Sequence, residues 1–538
     1  EESSNGKSTK LAPKLRVRVT DLRQSRDALF QRRVDNLSTS STNNKSAGRK
    51  KDSIDAYVNR SIDGEDDDNE EKRTKEEKMM VRLLETPPWM PPSLASFAAT
   101  SPVEVSLSHW KMIKSDLLVD SGYMCTSWDC TDVAAIFRGN MPRTYRKTKS
   151  SSSPEIDDDD EGQSDNSIAT VFEDLQERLK NHPELNDRVR LFVVYDYEWR
   201  PSFDNNMAIG RRQGGWEDSE QNTPPPVIIA LAKEVEPEQE SERDLGTKSL
   251  AAFSTICSIL TTFTYGLSAY ALNPTFFQSV VKENDITAVP LCFPIFFGVL
   301  AVSALHELGH FVVAKRYDVK LGLPVPIPSV QVGGFGSITP LRSFPSTRTA
   351  LFDVALSGPG LSMLVSMALL ASGLVLTISA QSIAAFPIVP AATMKSSFLV
   401  GSIVSVVAPK MMMVPLSQPI PIHPAFLVGL AGILMSAVNL LPIGRLDGGR
   451  ASMSAWGRRA ASLISFLSLI VLALYSFSGF SGIIAFWGAI VVLTQRLPDI
   501  PAVNEVTGVG DLRVNSYLAL LSLALLALLP FPGGVGPI

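Results

Sequence analysis

Two rhythms of apolar residues divide the chain. From about residue 95 to 240 the apolar runs are short: Val133 to Phe137 is a brief run, Val171 to Lys180 repeats at the helical period, and Val189 to Tyr195 and Val227 to Ala232 alternate or run apolar as strands do. This pattern predicts a soluble α+β domain over residues 95–245. Beyond residue 249 the runs lengthen, and apolar stretches of about 18 to 25 residues cover the roughly 30 Å of bilayer hydrocarbon at about 1.5 Å per residue. They predict membrane-crossing helices at Leu250 to Ala271, Val289 to Ala314, Ala350 to Ile378, Pro424 to Leu441, Ala460 to Phe477, Ile483 to Leu493 with its flanks, and Ser516 to Leu529. Phe398 to Val407 is too short to cross and is expected to be interfacial or re-entrant. The expected fold class is a polytopic α-helical membrane protein of about seven transmembrane helices over residues 249–532, behind the α+β domain.

Basic residues agree with this layout. With the N-terminal domain inside, Lys248, Lys315, Arg316, Arg342, Arg348, Arg445, Arg450, Arg458, Arg459, Arg496 and Arg513 fall on its side, and only Lys282, Lys395 and Lys410 fall opposite. The first 90 residues carry no periodicity, only Ser, Asn, Lys and Arg followed by an Asp/Glu/Lys run from Glu65 to Lys78, and are expected to be a disordered tail. The chain starts at Glu1 rather than an initiator Met, and its first 51 residues read as the leftover of a targeting leader. Two polar stretches, Ser150 to Asp165 with the acidic run Asp157 to Asp160, and Asn205 to Pro226, are expected as surface insertions.

A hydrophobic content of 45% is high for a soluble chain. The net charge of −5, with no Lys/Arg stripe interleaved with aromatics, excludes nucleic acid as a partner. Four scattered cysteines make no disulfide framework, and the Cys125 and Cys130 pair reads as ordinary thiols.

The candidate chemistry lies inside the second apolar helix. His306 and His310 are four residues apart and share one helix face, where two imidazoles can grip one zinc ion; Glu307 follows the first and can act as general base on water. Ionisable groups in a membrane helix are expensive unless they face a partner or a water cavity, which favours a site over idle packing. A catalytic zinc needs a third protein ligand and an open position. Position 316 is Arg, which excludes the extended pattern of soluble proteases with a third His six residues after His310. Asp353, His423 and Asp447 remain as candidates. Asp447 is preferred because Pro442 and Gly444 break a helix at membrane depth, where non-helical backbone survives only if protein or water buries it. Upstream, Asn439 carries an amide suited to holding substrate backbone or a developing oxyanion.

The pairing of His-Glu-x-x-His in one membrane helix with Asn-x-x-Pro-x-x-x-x-Asp-Gly in a later one resembles the site-2 proteases, zinc intramembrane proteases. By that resemblance His306, His310 and Asp447 match the zinc ligands, Glu307 the catalytic glutamate and Asn439 the motif asparagine, within a core of residues 289–455. A narrower likeness is to the plastid branch of plants and algae known by the ethylene-dependent gravitropism-deficient and yellow-green phenotype. It rests on Phe137 to Arg143, Arg190 to Val194, Leu441 to Arg450 and Asn504 to Thr507, although Met141 and Pro142 alter the first element. The likeness implies an active enzyme in a plastid membrane, the thylakoid favoured over the envelope, acting on membrane-protein substrates within the lipid bilayer.

Leu323 to Ser337 alternates apolar and small residues around three glycines and reads as a hairpin whose edge could pair with unwound substrate. Ser357-Gly358-Pro359-Gly360 offers small residues for close helix packing. Two alternatives stand beside the main reading: a zinc protease of another lineage with His423 as a ligand, and a catalytically silent membrane scaffold or transporter that holds a metal.

Overall fold

A computed structural model of the chain describes residues 86–99, 101, 103–140, 163–199, 224–235, 237, 245–477, 487–488 and 499–533. The tail before residue 86, and most of both polar insertions and of the predicted helix at 483–493, lie outside the described residues.

The first part of the described chain builds α1 (Pro92–Ala99), α2 (Leu107–Met112), β1 (Met124–Cys130), β2 (Ala134–Asn140), α3 (Gln163–Asn181), β3 (Val189–Tyr195) and β4 (Pro226–Ala232). The strands form one antiparallel sheet in the order β1-β2-β4-β3. Trp110, Phe137, Leu175 and Phe192 fill its core, and the packing reaches back to Trp89, ahead of residue 95. The sequence did not announce β1, because its residues Met-Cys-Thr-Ser-Trp-Asp-Cys are mostly polar and exposed along a sheet edge.

The other edge is closed from far down the chain. Val193 donates its N–H to the Val503 carbonyl at 2.9 Å and accepts from the Glu505 N–H at 3.0 Å. Residues 503 and 504 also donate to the Pro345 and Ser346 carbonyls at 2.8 and 3.1 Å, so this short extended piece lies between β3 and the loop entering the membrane part. Asn504 holds the piece in shape, its Oδ1 accepting from the N–H groups of Val506 and Thr507 at 3.0 Å each.

The membrane part contains α4 (Leu245–Ala269), α5 (Phe293–Arg316), the hairpin β5 (Val325–Ser329) and β6 (Gly333–Ile338), α6 (Arg348–Ser379), β7 (Ile388–Pro390), α7 (Phe398–Val407), β8 (Pro419–Pro421), α8 (Pro424–Leu440), α9 (Asp447–Phe477) and α10 (Asp511–Leu528). Five described helices are long and apolar enough to cross a membrane: Lys248–Ala269, Ile286–Arg316, Arg348–Ser379, Asp447–Leu474 and Asp511–Leu528. The expected crossing at Pro424 to Leu441 is α8, only 17 residues long and buried at 16 of them. Apolar on every face, it is the packed centre of the bundle rather than a lipid-facing span. The apolar helix expected from Ala460 begins earlier, because the segment from Asp447 continues into it through a break at Gly457, whose φ of 79° no helix accepts.

Candidate metal centre

Three elements bring the candidate donors together. The helical repeat of α5 stacks His306 and His310 on its buried face, and their rings lie 4.8 Å apart, edge to face. Asp447 opens α9 just after the loop 441–446 that Pro442 and Gly444 (φ 51°) make non-helical. Its Oδ2 lies 3.3 Å from His306 Nε2 and 3.3 Å from His310 Nε2, while the two nitrogens are 3.1 Å apart. Third comes α6, whose Gly358 lets the His310 ring in; a Cβ there would stand 2.3 Å from Nε2.

The rings are held from behind. His310 Nδ1 faces the Val354 carbonyl at 2.7 Å, and since a carbonyl only accepts, Nδ1 carries a proton; the neutral ring then presents its Nε2 lone pair to the site. His306 Nδ1 meets Ser362 Oγ at 3.1 Å, and Ser362 lies 2.7 Å from Ser436 on α8, which ties α5, α6 and α8 into one network. Asp447 Oδ2 is buried without a well-directed hydrogen bond among the described residues. Lone pairs and a carboxylate oxygen that crowd together out of water repel unless a cation lies among them. A tetrahedral zinc with ligands about 2.0 Å away holds them about 3.3 Å apart, so this donor set fits that ion.

Glu307 adjoins the trio, with one donor atom each from His306, Glu307 and His310 lying within 4.8 Å of one another. Its carboxylate accepts hydrogen bonds from Ser337 Oγ and from Thr339 Oγ1, the latter at 2.7 Å. Both hydroxyls come from β6 and its continuation, two residues apart and so on one face of the strand. The hairpin expected from residue 323 onward is thus present, and it is fixed at several points. Thr261 on α4 donates to the Gly333 carbonyl at 2.7 Å, Ser254 to that of Pro326, and Arg450 on α9 to that of Thr339 at 3.0 Å.

Asn439 sits at the end of α8 and gives its amide N–H groups to the carbonyls of Phe335 at 2.8 Å and Met435 at 2.9 Å. In this conformation the amide braces β6. Gly336, with φ of 87°, leaves room for it, since a Cβ there would stand 2.5 Å from Asn439 Nδ2.

The other two candidate ligands are engaged elsewhere. Asp353 takes Arg513 at 2.8 and 3.1 Å and the Tyr317 hydroxyl at 2.5 Å. That carboxylate, largest among the causes, holds the Tyr317 phenol above its usual range. His423 caps α8, its Nδ1 accepting from the Ala425 N–H at 3.2 Å, with its ring against Phe386. Sequence reasoning missed Ser337, Thr339 and Ser362. The signal for the first two was small: hydroxyls at alternating positions of an otherwise apolar strand.

Residues 294–476 match Peptidase family M50. Among curated proteins, the chain is 34% identical over 242 residues to "Probable zinc metalloprotease EGY1, chloroplastic" of Arabidopsis thaliana, covering 45% of this chain and 43% of that one. It is 33% identical over 231 residues to the Arabidopsis EGY2 protein (43% and 40% covered), and 30% identical over 248 residues to the EGY3 protein of Oryza sativa subsp. japonica (45% and 42% covered). The chain thus spans less than half the length of the curated relatives it matches. No solved structure gives a significant match. The paired histidines, the adjoining glutamate and the distant aspartate all lie inside residues 294–476, the stretch that is similar to Peptidase family M50.

Proposed function

We propose that the chain is an intramembrane zinc metalloendopeptidase of a plastid membrane, hydrolysing peptide bonds in or beside the transmembrane segments of other membrane proteins. One observation carries the reading: two imidazole nitrogens and one carboxylate oxygen from separate helices meet 3.1 to 3.3 Å apart, with a glutamate at their side. His306, His310 and Asp447 would hold the zinc. A zinc ion so held supplies Lewis acidity for the scissile carbonyl and for water.

The chain's own residues do the rest. Glu307 takes a proton from the attacking water and passes it to the departing amine nitrogen, with Ser337 and Thr339 aiming its carboxylate. The network behind the rings fixes the tautomers, and Asn439 keeps β6 in place beside the base. The substrate must be drawn out of its helix, because a helical peptide carbonyl already accepts a hydrogen bond; β6 is a strand against which an extended segment can lie. The names of the relatives support a plastid location, and the thylakoid is favoured over the envelope.

A catalytically silent scaffold that merely holds metal gives Glu307 and its two hydroxyl partners no task. The deciding experiment compares wild type with Glu307→Gln in vesicles containing a membrane-peptide library. Wild type is expected to yield cleavage products and the variant none, with one zinc per chain in both; equal products from the two would end the protease reading. Deleting Gly333 to Gly336 is expected to abolish cleavage with zinc retained, and undiminished cleavage would remove the role given to the hairpin.

A further inference from the structure

Beside the metal centre, and separate from it, a cleft of about 1040 Å³ opens between the α+β domain and the start of α9. One wall comes from the ends of β3 and β4 and the approach to α1; the other runs from Gly444 to Ser465. Gly444, Arg445 and Gly449 in that second wall lie within three residues of Asp447, so the cleft adjoins the loop that presents the carboxylate.

The lining is positively charged. It contains four arginines, at 348, 445, 458 and 459, against three carboxylates, at 196, 499 and 505. Asp196 is compensated from outside the lining by Arg138 at 3.0 Å, and Asp499 both from outside by Arg450 at 3.1 Å and from within by Arg445 at 3.6 Å. Glu505 is taken by Arg458 at 2.6 Å. Arg348 turns its guanidinium to the carbonyls of Ser454 and Ala455 at 2.7 and 3.0 Å. Arg459 is exposed and has no ion pair among the described residues.

The rest of the wall suits an extended peptide. Tyr195, Tyr197 and Trp456 offer aromatic faces, and Pro91, Pro92 and Pro224 give rigid backbone without N–H groups. Five of these six residues, all but Trp456, belong to the soluble domain, which favours a peptide over a lipid headgroup.

We propose that this cleft binds an acidic peptide segment, the polar flank that follows a substrate's membrane helix on the side of the α+β domain. The proposal rests on the protease reading, which makes such a flank adjoin the metal centre. It makes Arg459 a specificity residue that selects substrates by the charge beside their membrane helix.

The test uses the full chain, as wild type and as Glu307→Gln, in phosphatidylcholine nanodiscs. Fluorescence anisotropy follows a labelled Glu-rich decapeptide and a Lys-rich one. The acidic peptide is expected to bind both proteins at least ten-fold more tightly than the basic one, to weaken with salt, and to lose at least five-fold in Arg459→Glu at unchanged zinc content, the scale of one reversed surface charge pair. Equal binding of the two peptides, or an Arg459→Glu variant that binds as wild type does, overturns the proposal. So does binding that appears only with phosphatidylglycerol and follows Arg459, which would assign the cleft to lipid. Cleavage intact with no peptide preference sinks this inference alone; peptide preference intact with no cleavage by wild type sinks the protease reading alone.

Discussion

A single proton decides what His310 can do. The Val354 carbonyl 2.7 Å from Nδ1 holds that proton on the far side of the ring, and Gly358 gives the ring its place. Gly358→Ala is therefore expected to lower zinc affinity by about 10- to 100-fold while the helices remain folded, measured by competition with a chelating dye and by circular dichroism. Zinc removal itself should lower the melting temperature of the wild type, because an ion that binds only the folded state stabilises it by about 3 to 4 kcal/mol at 100 to 1,000 times its dissociation constant. His310→Ala should show no such response. At the base, Thr339→Val keeps the shape of the side chain and removes one hydroxyl from Glu307. A fall in kcat of roughly ten-fold at unchanged KM and zinc content is expected, with recovery in Thr339→Ser. The histidines and Glu307 were legible in the sequence because their spacing on one helix is itself the geometry. Ser337 and Thr339 were not, because no local rule says which hydroxyls of a strand will meet a helix lying some thirty positions earlier.

Elements were legible where one face or one length dominates. The strands β3 and β4 and the long helices α5 and α6 follow directly from runs of apolar residues. The edge strand β1 escaped because polar residues carry no period that marks burial. The helix α8 was legible from its apolar run; its 17 residues reach about 25 Å. Its place in the centre depends on close approaches that no hydropathy pattern reports: a Cβ on Gly429 would lie 2.5 Å from the Ser366 carbonyl oxygen, and one on Gly432 would lie 2.1 Å from Ser366 Oγ. Gly429→Leu is expected to push α6 and α8 apart and destabilise the chain by about 1 to 3 kcal/mol or more, as overpacking does. A drop in unfolding midpoint in mild detergent, together with lost zinc, is the measurement; an unchanged midpoint would show that the two helices are not pressed together there.

Across the whole molecule, the soluble and membrane parts were predicted separately, and their junction was hidden. It is made by residues 503–505, whose backbone pairs with β3 on one side and with residues 345 and 346 on the other. The resemblance had singled out Asn504 to Thr507, but pairing at such sequence distance leaves no trace in composition. Removing the Asn504 side chain takes away the acceptor for two backbone N–H groups. Asn504→Ala is expected to speed hydrogen exchange at the Val193 amide by at least ten-fold while β2 amides stay protected; equal protection in both proteins would remove the junction assigned to this residue.

That same junction sets a schedule for biosynthesis. Val193 and Glu505 are separated by roughly 300 residues, which takes on the order of half a minute at about 5 to 20 residues per second of translation. For that interval the nascent α+β domain has an open strand edge, an invitation to wrong pairing. Sealing waits until residues 503–505 have been made, after every described helix but α10, so a polypeptide cut short before residue 503 would leave the edge of β3 unlatched.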